Sequence, residues 1–135
     1  MDDFFGLDVP FARFCGIKAL GVENGRTRLV LPMSPEGTNH FGVFHGGALM
    51  TLLDIAMGSA ARVHAGEWVV AVDMQTAFVA PGRGDVIGEG FVIRGGHSLV
   101  FCEGEIRDAS GALIAKGSGV YKIVRRGKTR GGDAA

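Results

Sequence analysis

The 135-residue chain predicts an α+β domain in which one long apolar helix lies against an antiparallel sheet. Three observations lead there. Between residues 46 and 61 the only polar side chains are Thr51, Asp54 and Ser59, with Gly, Ala, Leu, Ile and Met everywhere else. After Gly66 the pattern changes to period two: Val70, Val72, Met74, Thr76 and Phe78 alternate with Ala71, Asp73, Gln75 and Ala77. The later apolar runs are joined by turns too short for a crossover, so neighbouring strands run antiparallel.

The elements follow in order. Apolar positions Phe4, Leu7, Phe11 and Phe14 predict a short N-terminal helix over 4–15. Two short strands come next, 17–23 and 26–32, hinged at the hairpin dipeptide Asn24-Gly25. Residues 33–44 are polar and contain glycine, hence a loop. The long helix covers 46–63. Four strands follow, 70–78, 86–94, 98–107 and 113–124, punctuated by Pro81-Gly82, Gly95-Gly96 and Ser110-Gly111. The fold is expected to occupy residues 1–124, leaving 125–135 as a basic, Gly-rich and disordered tail.

Composition limits the function. Hydrophobic residues make up 47% and charged residues 21%, which excludes an intrinsically disordered chain. Fourteen basic and fourteen acidic residues cancel, so no broad field favours nucleic acid or an anionic membrane. The acidic start, Met1-Asp2-Asp3, is not expected to act as a secretory signal, and the run 46–61 is too short to span a bilayer and carries Asp54. Cys15 and Cys102 stand far apart and outside any CxxC, and are expected as free thiols in a reducing cytoplasm. The 23 glycines show no Gly-X-Y period and must serve turns and close backbone approaches.

Asp54 is the residue that needs a reason. An all-round apolar helix is expected to be buried all round, where an unpaired carboxylate is costly and its pKa rises. One reading pairs it with a neighbouring Ser, Thr or Arg. The other makes it a general base or nucleophile in a water-poor site. The helix begins at His45-Gly46-Gly47. First-turn N–H groups lack intrahelical partners and carry the positive end of the dipole, and without a Cβ an oxygen can approach them as in an oxyanion hole. Asp54 lies about 12 Å from Gly46 along the axis at about 1.5 Å per residue. A reacting carbon needs its attacking group within about 3–3.5 Å, so one subunit cannot bring both to one substrate. Two copies with antiparallel helices can. Catalysis of this kind requires at least a dimer.

The run Asn39-His40-Phe41-Gly42-Val43-Phe44-His45-Gly46-Gly47, followed by Leu52-Leu53-Asp54, resembles the hotdog-fold acyl-CoA thioesterases of the PaaI (phenylacetic acid degradation) type. Ala71-Val72-Asp73-Met74-Gln75, the Ala80-Pro81 turn and Ala115-Lys116-Gly117 extend the likeness over about 12–124. The resemblance implies a central helix wrapped by a highly curved antiparallel sheet, in a homodimer or a dimer of dimers with sites between subunits. It implies hydrolysis of an acyl-CoA to free acid and CoA, with no metal and no cofactor. The thioester carbonyl would sit on the Gly46 N–H beside Gly47. Asn39 would hold the thioester or the attacking water, His45 would shape the loop or contact the thioester region, and Asp54 would act from the partner as base or nucleophile. Phe41 and Phe78 would line the acyl pocket, together with Phe44, Met50 or Met57. Arg83, His97 and Ser98 would take the nucleotide end of CoA, with Arg125, Arg126 and Lys128 as weaker candidates. Some relatives carry a water-positioning serine or threonine where this chain has Ala71.

Other signals fail on their own chemistry. Gly96-His97-Ser98-Leu99-Val100 lacks the final glycine and the following helix of a nucleophile elbow. The four histidines show no ligand spacing, and no phosphate-cradling loop is present. His64 suits the last helical turn. Met57 and Trp68 are expected in the core or a subunit interface. Two rivals remain: an enoyl-thioester hydratase using His45, and a non-catalytic acyl-CoA binder, which Ala71 makes reasonable.

Overall fold

The computed structural model describes residues 4–125. The elements run α1 (Pro10–Cys15), β1 (Lys18–Glu23), β2 (Arg26–Leu31), a single 3-10 turn (Pro35–Gly37), α2 (Gly46–Ala65), β3 (Trp68–Phe78), β4 (Val86–Gly95), β5 (Leu99–Asp108) and β6 (Leu113–Val124). The six strands form one antiparallel sheet in the order β1-β2-β4-β5-β6-β3. The α+β expectation holds: α2 packs against β2, β3, β4, β5 and β6, so the sheet wraps the helix.

Curvature comes from bulges. The register shifts between Ala19 and Gly21, Ala71 and Asp73, Val92 and Arg94, and Ile106 and Arg107. Each extra residue bends its strand and adds twist. The Asn24-Gly25 hairpin forms as expected, with positive φ at both residues (54° and 75°), the backbone that a two-residue primed turn requires.

Glycine sets the depth of the trough. Thr27, Gly90, Gly104, Gly117 and Thr76 are cross-strand neighbours on five adjacent strands and share one face. A Cβ at Gly90 would collide with the Ala56 carbonyl of α2, one at Gly104 would lie 3.0 Å from Met57 Cγ, and one at Gly117 3.2 Å from Leu53 Cδ1. The missing side chains let α2 settle directly onto the strands. Thr27 completes the seat, its Oγ1 donating to the Ala56 carbonyl at 2.7 Å. Leu52, Leu53, Ala56 and Met57 are fully buried there, each large side chain contributing roughly 1.5–3 kcal/mol.

Three expectations need correction. The N-terminal helix covers only Pro10–Cys15, because Pro10 suits a first helical position and Phe5 and Gly6 both have positive φ (61° and 89°). Residues 4–9 instead cross the end of α2, with Phe4 buried and the Phe5 carbonyl accepting from Arg62 Nε at 3.3 Å. β3 starts at Trp68, two residues earlier than expected; Met57 is in the core, and Trp68 is 40% exposed on this edge strand. The helix is not buried all round: its open stripe is Gly47, Met50, Thr51, Asp54 and Gly58, while Leu49, Leu52, Leu53, Ala56, Met57, Ala60 and Ala61 face the sheet. The expected disordered tail beyond Arg125, with Arg126 and Lys128, lies outside the described residues.

Candidate active site

Asp54 sits half-buried in the third turn of α2. Its carboxylate faces a cavity of about 150 Å³ lined by Phe4, Leu7 and Val9 of the N-terminal arm, Ile55, Gly58 and Ser59 of α2, Val69 and Ala71 of β3, and Tyr121 of β6. Apolar walls raise the carboxyl pKa by desolvation, and a hydrogen bond from Tyr121 partly offsets that rise. The Tyr121 hydroxyl lies 2.8 Å from Asp54 Oδ1 and 3.0 Å from the Asp54 carbonyl. The partner of the acid is thus a tyrosine from the opposite sheet, not the Ser, Thr or Arg that a helix-local reading offers. Tyr121 itself is buried, and desolvation followed by the neighbouring Asp54 charge pushes its pKa far above the usual phenol value. It stays a donor.

The start of α2 forms a separate site. The Phe44 N–H donates to the Gly82 carbonyl at 2.9 Å and the His45 N–H to the Gly37 carbonyl at 2.8 Å, which lock the loop onto the 3-10 turn and the β3–β4 connection. Asn39 Oδ1 accepts from the Phe41 N–H at 2.9 Å. That bond commits the oxygen to the loop, and Nδ2 makes no hydrogen bond among the described residues. Asn39, Phe44, Gly46, Leu49, Phe78 and the 79–82 segment line a pocket of about 410 Å³. The Gly46 N–H opens the helix, where no intrahelical partner exists. A Cβ at Gly46 would press on the Phe78 ring at 3.1 Å, so glycine is required for the aromatic to lie there.

His45 and Gly47 are joined to each other at the helix start. His45 is the N-cap: its Nδ1 accepts the Gly47 N–H at 2.8 Å. The Gly47 amide is therefore committed, which leaves Gly46 as the open donor of the pair. With Nδ1 accepting in the cap, Nε2 is the ring nitrogen left for other contacts. His45 and Gly47 line a third pocket, of about 480 Å³, with Phe11, Phe14, Cys15, Ala48 and Thr51.

The sequence profile described as "Thioesterase superfamily" matches residues 41–115. The chain belongs to the thioesterase superfamily. It is accordingly a thioester hydrolase with a hotdog fold. A provisionally named esterase of Saccharolobus solfataricus is 35% identical over 115 residues, covering 84% of this chain and 82% of that protein. The acyl-coenzyme A thioesterase 13 of Homo sapiens is 30% identical over 112 residues, covering 79% and 80%. Among solved structures, the PaaI protein of E. coli superposes with a TM-score of 0.80 over 87% of this chain and 86% of that one. At 21% identity that superposition speaks for the fold alone.

Within this thioesterase, the expected site residues fall into three groups. Asn39, Gly46 and Phe78 share the helix-start pocket, Asp54 stands in its own cavity, and His45 and Gly47 line the third pocket. Phe41 does not join the pocket: it is 75% exposed, its ring tilted at 41° against His40 with centroids 4.1 Å apart. Phe44 joins Phe78 there, Met50 lies on the open stripe of α2 and Met57 is core. Arg83 follows Gly82 at the rim of the helix-start pocket. His97 and Ser98 lie at the other end of the sheet, where Gly95 abuts the His64 ring and the His97 carbonyl accepts from Arg125 at 3.0 Å. Cys15 and Cys102 are both free, and burial pushes the Cys102 thiol up to about 11. Among the described residues no cluster of His, Cys, Asp and Glu could hold a metal ion, and no helix is long and apolar enough to cross a membrane.

Proposed function

We propose that this thioesterase hydrolyses acyl-CoA to the free acid and CoA, at sites shared between two subunits. The observation that carries this reading is the open stripe of α2. Gly47 and Met50 are exposed and Thr51 partly so, with half-buried Asp54 on the same side of the helix, and a second antiparallel α2 set against that side brings each Asp54 toward the other's helix start. The name of the human relative, an acyl-coenzyme A thioesterase, and the PaaI-type run around Asn39 support the substrate class.

In the proposed reaction the thioester carbonyl accepts from the Gly46 N–H, aided by the dipole of a twenty-residue helix. Asn39 Nδ2 supplies the second donor. Water attacks the carbonyl carbon while its proton passes to the partner's Asp54, whose desolvation makes it a stronger base than an exposed carboxylate. Charge collects on the carbonyl oxygen and is stabilised by donors already in place. The tetrahedral intermediate collapses, the C–S bond breaks, and the thiolate of CoA leaves and takes up a proton. The proposal needs no metal and no cofactor, and places the reaction in the cytoplasm. Arg83, His97 and Ser98 serve the nucleotide end of CoA.

The test is thiol release from a panel of benzoyl-, phenylacetyl- and straight-chain acyl-CoA esters by the wild type and by Asp54→Asn. Hydrolysis by the wild type that falls about 10²–10⁴-fold in a folded variant supports Asp54 as the base or the nucleophile of the reaction. Saturable binding with no thiol released by the wild type would sink the reading.

A further inference from the structure

We propose that Tyr121 is the positioning residue of Asp54, its hydroxyl holding the carboxylate through Oδ1 and leaving Oδ2 to take the proton of water. The inference rests on Asp54 being the base, and extends that reading to a residue on the opposite layer of the fold.

Four observations converge. The Tyr121 hydroxyl reaches both Asp54 Oδ1 (2.8 Å) and the Asp54 main-chain carbonyl (3.0 Å), so one O–H spans the side chain and the backbone that carries it and limits the carboxylate's rotation. The ring is seated by glycines on both layers. A Cβ at Gly58 would lie 3.2 Å from Tyr121 Cε2, and one at Gly119 2.9 Å from Cε1. Tyr121 is paired directly with Ala71 across β6 and β3, and both line the cavity in front of Asp54. Ala71 has no polar atom to offer, so Tyr121 is the hydroxyl that reaches the acid from the sheet. Finally, burial and the adjacent carboxylate hold the phenol protonated, so it donates across the working pH range.

The surroundings make a pH test readable. The N-terminal arm faces the carboxylate with Phe4, Leu7 and Val9, β3 with Val69 and Ala71, and α2 itself with Ile55, Gly58 and Ser59, none of them titratable in water. β6 presents Tyr121, and β5 presents Cys102 behind it. The hydrogen bond from Tyr121 lowers the Asp54 pKa against the rise that burial causes. Removing it therefore moves the pKa up, and the pH at which activity is lost on acidification moves up too.

The experiment compares the wild type, Tyr121→Phe and Asp54→Asn on one hydrolysed acyl-CoA, across pH. Phenylalanine keeps the ring between Gly58 and Gly119 and removes only the oxygen. The expected result is a kcat about ten- to a hundredfold lower with KM held, and the acidic limb of kcat/KM displaced to higher pH. Because the chain has one tyrosine, ultraviolet difference spectra of the intact protein give a second readout. The tyrosine band shifts with the same midpoint as the acidic limb in the wild type, and that step vanishes in Asp54→Asn. If Asp54→Asn is inactive while Tyr121→Phe matches the wild type in kcat and pH profile, or if the tyrosine band shows no step, Tyr121 has no positioning role. Full hydrolysis by Asp54→Asn removes the base itself, and the tyrosine's role with it.

Discussion

At the residue scale the account turns on one acid in an apolar place. Desolvation raises the Asp54 pKa in the folded protein, and for an acid a raised pKa means the fold is favoured below the unfolded pKa and loses that advantage as pH rises through the folded value. At neutral pH the charged form therefore costs stability. Asp54→Asn should accordingly raise Tm near pH 7 while abolishing thiol release, and the gain should shrink in acid; a Tm lowered at neutral pH would contradict the sign. Gly46→Ala should reduce kcat, because the new Cβ meets the Phe78 ring at 3.1 Å and disturbs the first amide of α2. Asp54 was legible because a single charge interrupts an apolar run. Gly46 was legible from the double glycine, but the sequence could not assign the two amides separately. That required seeing His45 turn back as a cap on Gly47. Tyr121 was not legible at all, since its meaning depends on which turn of α2 faces which register of β6. The only hint was a lone tyrosine on the inward-facing rhythm of the last strand.

At the element scale, α2 and the sheet define each other through residues that have no side chain. Strand and helix positions were readable from period and punctuation, and their boundaries moved by only a few residues. The N-terminal helix was over-extended because its apolar spacing fitted a helix, while Pro10 and the positive φ at Gly6 set its true start. Composition announced an excess of glycine, yet only cross-strand register reveals that Gly90, Gly104 and Gly117 form one row beneath the helix. Gly90→Ala should be among the most damaging single changes in the chain, because its Cβ meets the α2 backbone rather than a movable side chain. Overpacking of this kind costs roughly 1–3 kcal/mol or more. Thr27→Val, which leaves the Ala56 carbonyl without its donor, should cost about 1–3 kcal/mol. Chemical denaturation of both variants checks the ranking; a Gly90→Ala as stable as wild type would mean that α2 does not sit in that row.

At the scale of the whole molecule, a single chain leaves a row of apolar side chains exposed along one edge of the sheet. β3 is an edge strand carrying Trp68, Val70, Val72 and Phe78, between 36% and 59% exposed. A long apolar edge is a pairing surface that proteins do not leave open. Gly47 and Met50 on α2 are exposed as well. Both features support the proposed second copy, in which Gly46 and Asp54, about 12 Å apart along one axis and in distinct pockets, meet across the two chains. Sedimentation should therefore find a dimer or a larger even assembly at micromolar concentration, and dilution to monomer should extinguish activity.

The most direct test is subunit complementation. Asp54→Asn removes the base, while Asn39→Asp keeps the oxygen that holds the Phe41 N–H and removes the donor of the helix-start pocket. Each homomeric variant should release little thiol. Unfolded together and refolded as a mixture, they form hybrids in which one of the two sites combines an intact Asp54 from one chain with an intact Asn39 from the other, and thiol release should return. If the hybrids form and activity stays at the level of the separate variants, the site belongs to one chain, and the shared geometry is wrong.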